Sequence, residues 1–323
     1  ASDVYKRQPH ADANHVLLID PSSGRITIVA IPRDTPADAG FPDTSQFNKL
    51  ANVRAQRGLR AHLATLAELV GIPEIHYYAE LSFSQAFALL RLLRFAQPSE
   101  VLRVLRARTG IWGDDYHRVY AQAQFIRQQL LRWFDASNTP WGLALLRSAL
   151  SVMNTNLTVG VVTRLADSLR AHGFPTDSDA VSIVVYGIPL RRAPVYDFAN
   201  PRTFTALASE LRRYHQRYHA RKLTDTGSHE ARVHAVLTAA LERAHHAAAA
   251  GRAGEVVRTL APLVQQRAWW QLSDSAARAV YRSRCLDLLC QAYERLRKPK
   301  QAHFLRTEFL ERERELEELL STP

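Results

Sequence analysis

Two cysteines in 323 residues, Cys285 and Cys290, are too few for a disulfide framework. Five positions apart on a helix, they would point about 140° from one another. That geometry suits neither a bridge nor a shared metal, so both are read as small buried apolar residues. The chain has no run of eighteen or more apolar residues, which excludes a transmembrane helix within it, and no signal peptide. There is no glycine-rich phosphate loop and no Gly-x-Ser-x-Gly elbow, and the histidines show no zinc spacing. Basic residues are not interleaved with aromatics and no nucleic-acid recognition motif is present, so nucleic acid is not an expected partner. Acidic residues are the conspicuous shortage. Asp and Glu number 31 against 42 Lys and Arg, a formal charge of +11. Such an excess favours anionic partners: nucleic acid, anionic lipid or phosphorylated substrates. It does not choose among them, because arginines on helix-like stretches are commonly a solvated face.

What is present is a core-forming chain, 46% apolar, with an α/β first part and an all-helical end. "HVLLID" (15–20) and "RITIVAI" (25–31) read as strands joined by the turn "PSSG", a β-hairpin. Apolar spacing predicts a helix over 59–70. "GIPEIHYYAEL" then reads as a break and a strand. "SFSQAFALLRLL" reads as a helix capped by Ser82 or Ser84. Further helices are expected at 98–107, about 115–134, 140–151 and 158–172, and a late strand at 180–189. From about 230 the chain is rich in alanine, leucine and arginine, with no strand signal. Two helix–turn–helix patterns have turns at Gly251 and Leu296, 45 residues apart. That exceeds the ~34-residue tetratricopeptide period, and an extra helix near 273–291 accounts for the difference. The expected organisation is a domain at 10–211, a linker at 212–230, and a helical-repeat-like, tetratricopeptide-like module at 231–320.

Several charged residues of the first half fall in suggestive places. Arg33 and Asp34 follow a strand in "AIPRDT", and Lys49 follows the next loop. Arg106 and Arg108 form an Arg-x-Arg pair at a helix end. Asp115 and Arg118 open the long helix, and Gln122 shares the face of Arg118 one turn on. Arginines offer planar, bidentate hydrogen bonds to phosphate oxygens, and a helix start adds free N–H groups and positive dipole charge. Carboxylates among arginines can bind Mg²⁺ or orient the guanidinium groups. Taken singly, Arg33–Asp34 is a turn pair and the other arginines are surface charges.

Their order resembles that of the LytR–CpsA–Psr family. "ADANHVLLIDPSSGRITIVAIPRDT" is similar to the opening of that domain, without a gap from His10 to Thr35. Lys49 falls at the family's Lys-Ile-Asn motif. "LVGIPEIHYYAELSF" resembles its Gly-Ile-Pro…Tyr-Tyr strand and the helix after it. "PSEVLRVLRARTG…DDYHRVYAQAQFI" resembles its Arg-x-Arg helix followed by Asp-x-x-Arg-x-x-Arg-Gln-Gln. Together the motifs cover roughly residues 10–190.

The resemblance implies an α/β fold, a central mixed β-sheet flanked by helices, here followed by an all-α helical-hairpin module. It implies a Mg²⁺-assisted phosphotransferase moving a glycopolymer from a polyprenyl-pyrophosphate carrier to peptidoglycan, with pyrophosphate cleavage as a side activity. The implied location is the extracytoplasmic face of the bacterial cytoplasmic membrane. The anchor would precede this chain, whose opening "ASDVYKRQ" without methionine reads as a truncated start. By position, Asp12 would be a metal ligand. Arg33, Lys49, Arg106, Arg108, Arg118 and Gln122 would hold the pyrophosphate. Arg33, Asp34, Arg118 and Asp115 would form the catalytic group, Asp34 as brace and Asp115 as base or arginine orienter. The helical module would dock another envelope protein.

Where the family has arginines this chain has His10 and Ala121. Ala51 replaces its asparagine and Ala123 a glutamine. The family's earliest strand, whose Gly-x-Asp supplies a second metal carboxylate, would lie upstream of residue 1. These departures support an alternative: a degenerate, non-catalytic domain that binds polyprenyl-pyrophosphate or anionic polymer and scaffolds envelope proteins through the module.

Overall fold

A computed structural model of the chain describes residues 10–43, 45–107, 114–175, 180–187, 196–219 and 229–321. In order these form β1 (Asn14–Asp20), β2 (Arg25–Ile31), α1 (Leu50–Val70), β3 (Ala79–Glu80), α2 (Phe83–Leu92), α3 (Pro98–Arg106), α4 (Asp115–Phe134), α5 (Pro140–Val152), β4 (Asn154–Thr155), α6 (Val159–Ala171), β5 (Val181–Val185), α7 (Pro201–His219), α8 (His229–Ala249), α9 (Ala253–Gln265), α10 (Ser275–Arg295), α11 (Pro299–Phe304) and α12 (Leu310–Ser321).

The hairpin forms as its alternation predicts. Asn14 pairs with Ile31 and Asp20 with Arg25. The turn is tied by the Asp20 carboxylate, which accepts from the Ser22 and Ser23 hydroxyls at 2.6 Å and from the Ser22 N–H at 3.0 Å. Those bonds, the Ser22 hydroxyl foremost, lower its pKa to about 2. Gly24 closes the turn with φ +64°, and a Cβ there would sit 2.9 Å from the His172 carbonyl.

β5 joins β2 in parallel, giving a small mixed sheet ordered β1-β2-β5. The central strand is buried on both faces from Ile28 to Ile31, as that unbroken apolar run requires. Ile26, Ile28 and Ala30 face Val119 and Ala123 of α4, while Val29 and Ile31 face Leu50 and Leu66 of α1. Helices therefore flank the sheet on both sides.

Two expectations are corrected. The strand expected within "GIPEIHYYAEL" (71–81) shrinks to the two-residue β3, which pairs with β4. Side chains replace a neighbouring strand there. The Tyr78 N–H donates to Asn156 Oδ1 at 2.8 Å, Asn156 Nδ2 donates to the His76 carbonyl at 2.9 Å, and the Thr155 hydroxyl donates to the Tyr78 carbonyl. The helix expected at 59–70 begins earlier, at Leu50, and breaks at Gly58, whose φ of 83° and ψ of −178° are non-helical. Of the two candidate caps, Ser82 caps α2 in a capping box with Gln85. Ser84 is buried and accepts from Gln271 Nε2 at 2.8 Å.

α7 continues through 212–219 of the stretch read as linker, and 220–228 lie outside the described residues. Beyond it, α9 packs on both α8 and α10. The turns fall at Gly251, with φ 76°, and at Leu296–Arg297, where Arg297 takes φ 55°. Both cysteines are free and buried, and burial pushes the Cys285 thiol up to about 12. The helical end shares a core with the first part: Ala88 and Leu92 of α2 and Leu145 and Val152 of α5 lie in one apolar cluster with α8–α12.

Candidate functional site

β2 stops at Pro32, and the turn after it is fastened to the start of α1. The Thr35 hydroxyl donates to the Pro32 carbonyl at 2.7 Å. The Leu50 N–H donates to the Thr35 carbonyl and the Ala51 N–H to the Arg33 carbonyl, both at 2.9 Å. Two early N–H groups of α1, which have no partner within the helix, thus fix the turn carrying Arg33 and Asp34. The Ala11 N–H donates back to the Ala51 carbonyl at 3.2 Å, drawing the segment before β1 to the same place.

Six of the site residues expected from sequence meet at this junction. Arg33 Nη1 bonds Asp12 Oδ1 at 2.5 Å, and Lys49 Nζ bonds Asp34 Oδ1 at 2.7 Å. Arg118, in the first turn of α4, reaches Asp115 Oδ1 through Nε at 3.0 Å and Nη2 at 2.7 Å. Its Nη2 also lies 3.4 Å from the Asp12 carbonyl. Asp12 therefore touches both arginines, one through its carboxylate and one through its backbone. Arg118 is only 3% exposed, whereas Arg33 and Asp12 are 23% and 32% exposed and open to solvent. The Arg33 Nε is buried without a hydrogen-bond partner, 3.6 Å from Asp34 Oδ2, beyond normal hydrogen-bond reach.

The other expected residues are placed differently. Gln122 donates Nε2 to the Leu105 carbonyl at 2.8 Å, tying α4 to the end of α3, and its Oε1 is buried without a partner. The Arg106 guanidinium lies 4.7 Å over the Phe83 ring. Phe83 in turn meets His229 edge-on at 5.9 Å, so Arg106 is linked through one ring to the start of α8. Arg108 lies outside the described residues. His10 donates Nδ1–H to Asn52 Oδ1 at 3.1 Å. Ala121 and Ala123 are 1% and 0% exposed, each in an apolar cluster.

Sequence reasoning missed the polar layer behind the site. His15 donates Nε2–H to the Val119 carbonyl at 3.3 Å, and His62 donates Nε2–H to Asn14 Oδ1 at 3.0 Å. Burial lowers both to about 4, so both are neutral. Beyond them Arg54 clasps Glu80 through two bonds, at 2.5 and 3.0 Å. A polar residue inside a strand or on the inner face of a helix was the available signal.

Each carboxylate of the cluster that could ligate Mg²⁺ also faces a cation. That ion takes one or two carboxylates plus phosphate oxygens and water. Here Asp12, Asp34 and Asp115 are each already the partner of a cation: Arg33, Lys49 and Arg118. Among the described residues no group of three or more His, Cys, Asp or Glu could hold a metal ion. What the cluster can do is offer guanidinium N–H groups to an anion at a solvent-open edge.

No protein-family model matches the chain, and no curated protein matches it. Solved structures do. TagV of B. subtilis is similar at 19% identity with a TM-score of 0.48, over 64% of this chain and 92% of that one. A transcriptional regulator from Enterococcus faecalis is similar at 18% identity and 0.43, over 62% and 82%. TagT bound to LIIa-WTA is similar at 16% identity and 0.41, over 63% and 85%. None of these likenesses assigns a role to a residue of this chain.

Proposed function

We propose that the junction of β2, α1 and α4 is a pyrophosphate site, and that the protein is a cell-envelope phosphotransferase moving a glycopolymer from a polyprenyl-pyrophosphate carrier to peptidoglycan. The observation that carries this reading is the meeting of Arg33, Lys49 and Arg118 with Asp12, Asp34 and Asp115, residues 106 positions apart in sequence at the extreme. Arg33, Lys49 and Arg118 occupy positions the resemblance to the LytR–CpsA–Psr family assigns to phosphate binding, Asp34 that of a brace, Asp115 that of a base or arginine orienter, and Asp12 that of a metal ligand.

Arg33 and Arg118 grip the pyrophosphate and stabilise charge on its oxygens as the anhydride bond breaks. Lys49 adds charge beside them, and Asp34 braces Lys49 and Arg33. Asp115 acts as arginine orienter, since two nitrogens of Arg118 bond its Oδ1. An acceptor hydroxyl attacks the phosphorus bearing the glycopolymer, and polyprenyl phosphate leaves. Water in place of the acceptor gives the pyrophosphatase side reaction. The reaction belongs outside the cytoplasmic membrane. No helix among the described residues is long and apolar enough to cross one.

One observation favours a second reading, a non-catalytic binder of the same carrier. Ala121 and Ala123 sit in apolar clusters, and His10 is bonded to Asn52, so those three positions bring no guanidinium to the cluster. Turnover of a short-chain polyprenyl-pyrophosphate analogue, measured beside Arg33→Ala and Arg118→Ala, decides. Transfer or cleavage by the wild type, lost in both variants, is the expected result. Binding that the variants lose, without any turnover, selects the binder. Equal binding by all three chains, without turnover, rules out the site.

A further inference from the structure

The carboxylates of this cluster pose a question that the pyrophosphate reading leaves open. Three cations and three carboxylates meet in pairs: Arg33 to Asp12 at 2.5 Å, Lys49 to Asp34 at 2.7 Å, and Arg118 to Asp115 at 2.7 and 3.0 Å. A divalent cation entering here would meet a guanidinium or an ammonium already bonded to each carboxylate it used, and would be repelled by that charge. An anion entering here meets the opposite situation. It competes with Asp12 for Arg33 and with Asp34 for Lys49, at side chains 23% to 47% exposed. It also gains a donor that is already desolvated, the Arg33 Nε, which is buried without a hydrogen-bond partner. A buried donor in that state is costly to leave unmade, and a phosphate oxygen would satisfy it.

Arg118 differs from the other two cations. Two of its nitrogens are fixed on Asp115 and it is 3% exposed, so its orientation is set by the protein. Arg33 and Lys49 are the exchangeable members.

Resting on the pyrophosphate reading, we propose that Asp12 and Asp34 are latches rather than metal ligands. Each holds its cation in place until a pyrophosphate takes over, and the pocket therefore binds pyrophosphate without a divalent cation. The latches have a consequence opposite in sign to that of a metal ligand. Removing the charge of a latch frees its cation and strengthens anion binding, whereas removing a metal ligand weakens it.

Titration calorimetry of the whole chain with inorganic pyrophosphate, once in EDTA and once in excess Mg²⁺, tests this with Asp12→Asn, Asp34→Asn and Arg33→Ala. The expected result has four parts. The wild type binds in EDTA at least as tightly as in Mg²⁺. Asp12→Asn and Asp34→Asn each bind three- to tenfold more tightly, and Arg33→Ala binds at least tenfold more weakly. Asp34 is exposed, so its variant stays informative even if Asp12→Asn disturbs the fold. Binding that requires Mg²⁺, or that weakens in Asp12→Asn and Asp34→Asn while Arg33→Ala remains defective, overturns the latch and leaves the pyrophosphate site standing. Absence of wild-type binding in both conditions, or binding unchanged in Arg33→Ala, overturns both.

Discussion

Among the described residues, two arginine–carboxylate networks are built to opposite ends. The first is the open cluster of Asp12, Arg33, Asp34, Lys49, Asp115 and Arg118. The second lies in the helical end around Glu313, which is 0% exposed. Glu313 Oε2 accepts from the indole N–H groups of Trp269 and Trp270 at 2.8 and 3.0 Å. Arg267 Nε stands 3.2 Å from its other oxygen, and Arg282 Nη1 4.0 Å from Oε2. Arg267 also donates Nη2 to the Ser151 carbonyl at 2.8 Å, at the end of α5. Arg278 stacks on Trp270 at 5.0 Å, and Arg267 on Phe309 at 5.1 Å. Glu313 is thus enclosed by indoles and buried arginines, and Arg282 leads outward to Glu317, whose oxygen it meets at 3.1 Å. The same chemistry serves cohesion where it is sealed and remains exchangeable where one side meets water. Charge pattern alone does not distinguish the two; exposure does.

Breaking the sealed network should have the largest effect on stability. Glu313→Ala strands two indole N–H groups and the buried Arg267. Loss of one partner of a buried pair costs about 3–5 kcal/mol. A chemical-denaturation midpoint shift of that order is expected, with pyrophosphate affinity of the remaining folded protein unchanged. A loss below ~1 kcal/mol would mean that the network is not sealed.

Acid should weaken the polar layer behind the open cluster next. His15 and His62 are lowered by burial to about 4, while an unfolded histidine titrates near 6.5. Between those values the unfolded chain binds more protons, so stability rises with pH there. The contribution is fully present above about pH 6.5 and is lost as pH falls toward 4, on the order of 3 kcal/mol per histidine. Urea midpoints measured from pH 7 to 4.5 should fall, and His62→Gln should flatten the curve.

Arg33→Ala reverses the pattern of Glu313→Ala. Its partners are part-exposed, so stability should stay within about 1 kcal/mol of wild type. Charge-assisted hydrogen bonds to phosphate contribute ~1.5–3 kcal/mol, so pyrophosphate affinity should drop roughly 10- to 100-fold. A variant that loses stability and keeps affinity would exchange the roles of the two networks.

The open cluster was legible in the sequence and the sealed one was not, for a physical reason. Arg33, Asp34, Lys49, Asp115 and Arg118 sit at element boundaries, where each alone reads as a turn pair or a surface charge, and it is their order along the chain, matched to the LytR–CpsA–Psr pattern, that reads as a site. The hairpin, α2 to α6 and β5 were legible for the related reason that period and caps are local. Glu313 lies in "LERERELEELL", a run that reads as a solvated helix face. Only the tertiary approach of Trp269 and Trp270 buries it. The short β3 was misread because its neighbours' backbone is satisfied by Thr155 and Asn156, some eighty positions away. The position of Arg106 depends likewise on Phe83 and on His229 behind it.

Lys49→Ala should have the smallest effect, and it sharpens the comparison most finely. Lys49 and Asp34 are 30% and 47% exposed, so their pair contributes about 0–1 kcal/mol to folding. Loss of Lys49 removes a charge from beside the phosphate and leaves Asp34 there with one cation fewer. Pyrophosphate affinity should fall about two- to fivefold in low salt, by loss of attraction through high-dielectric surroundings. Near 1 M salt the screening length shortens to about 3 Å, and the difference from wild type should close. The deficit of Arg33→Ala should persist at that salt, because Arg33 contacts the anion through directed hydrogen bonds, one of them from a buried nitrogen. Affinities measured across a salt series would separate the two cations. A Lys49→Ala deficit that survives high salt would place Lys49 among the directly bonded groups and draw the closed part of the cluster one residue further toward solvent.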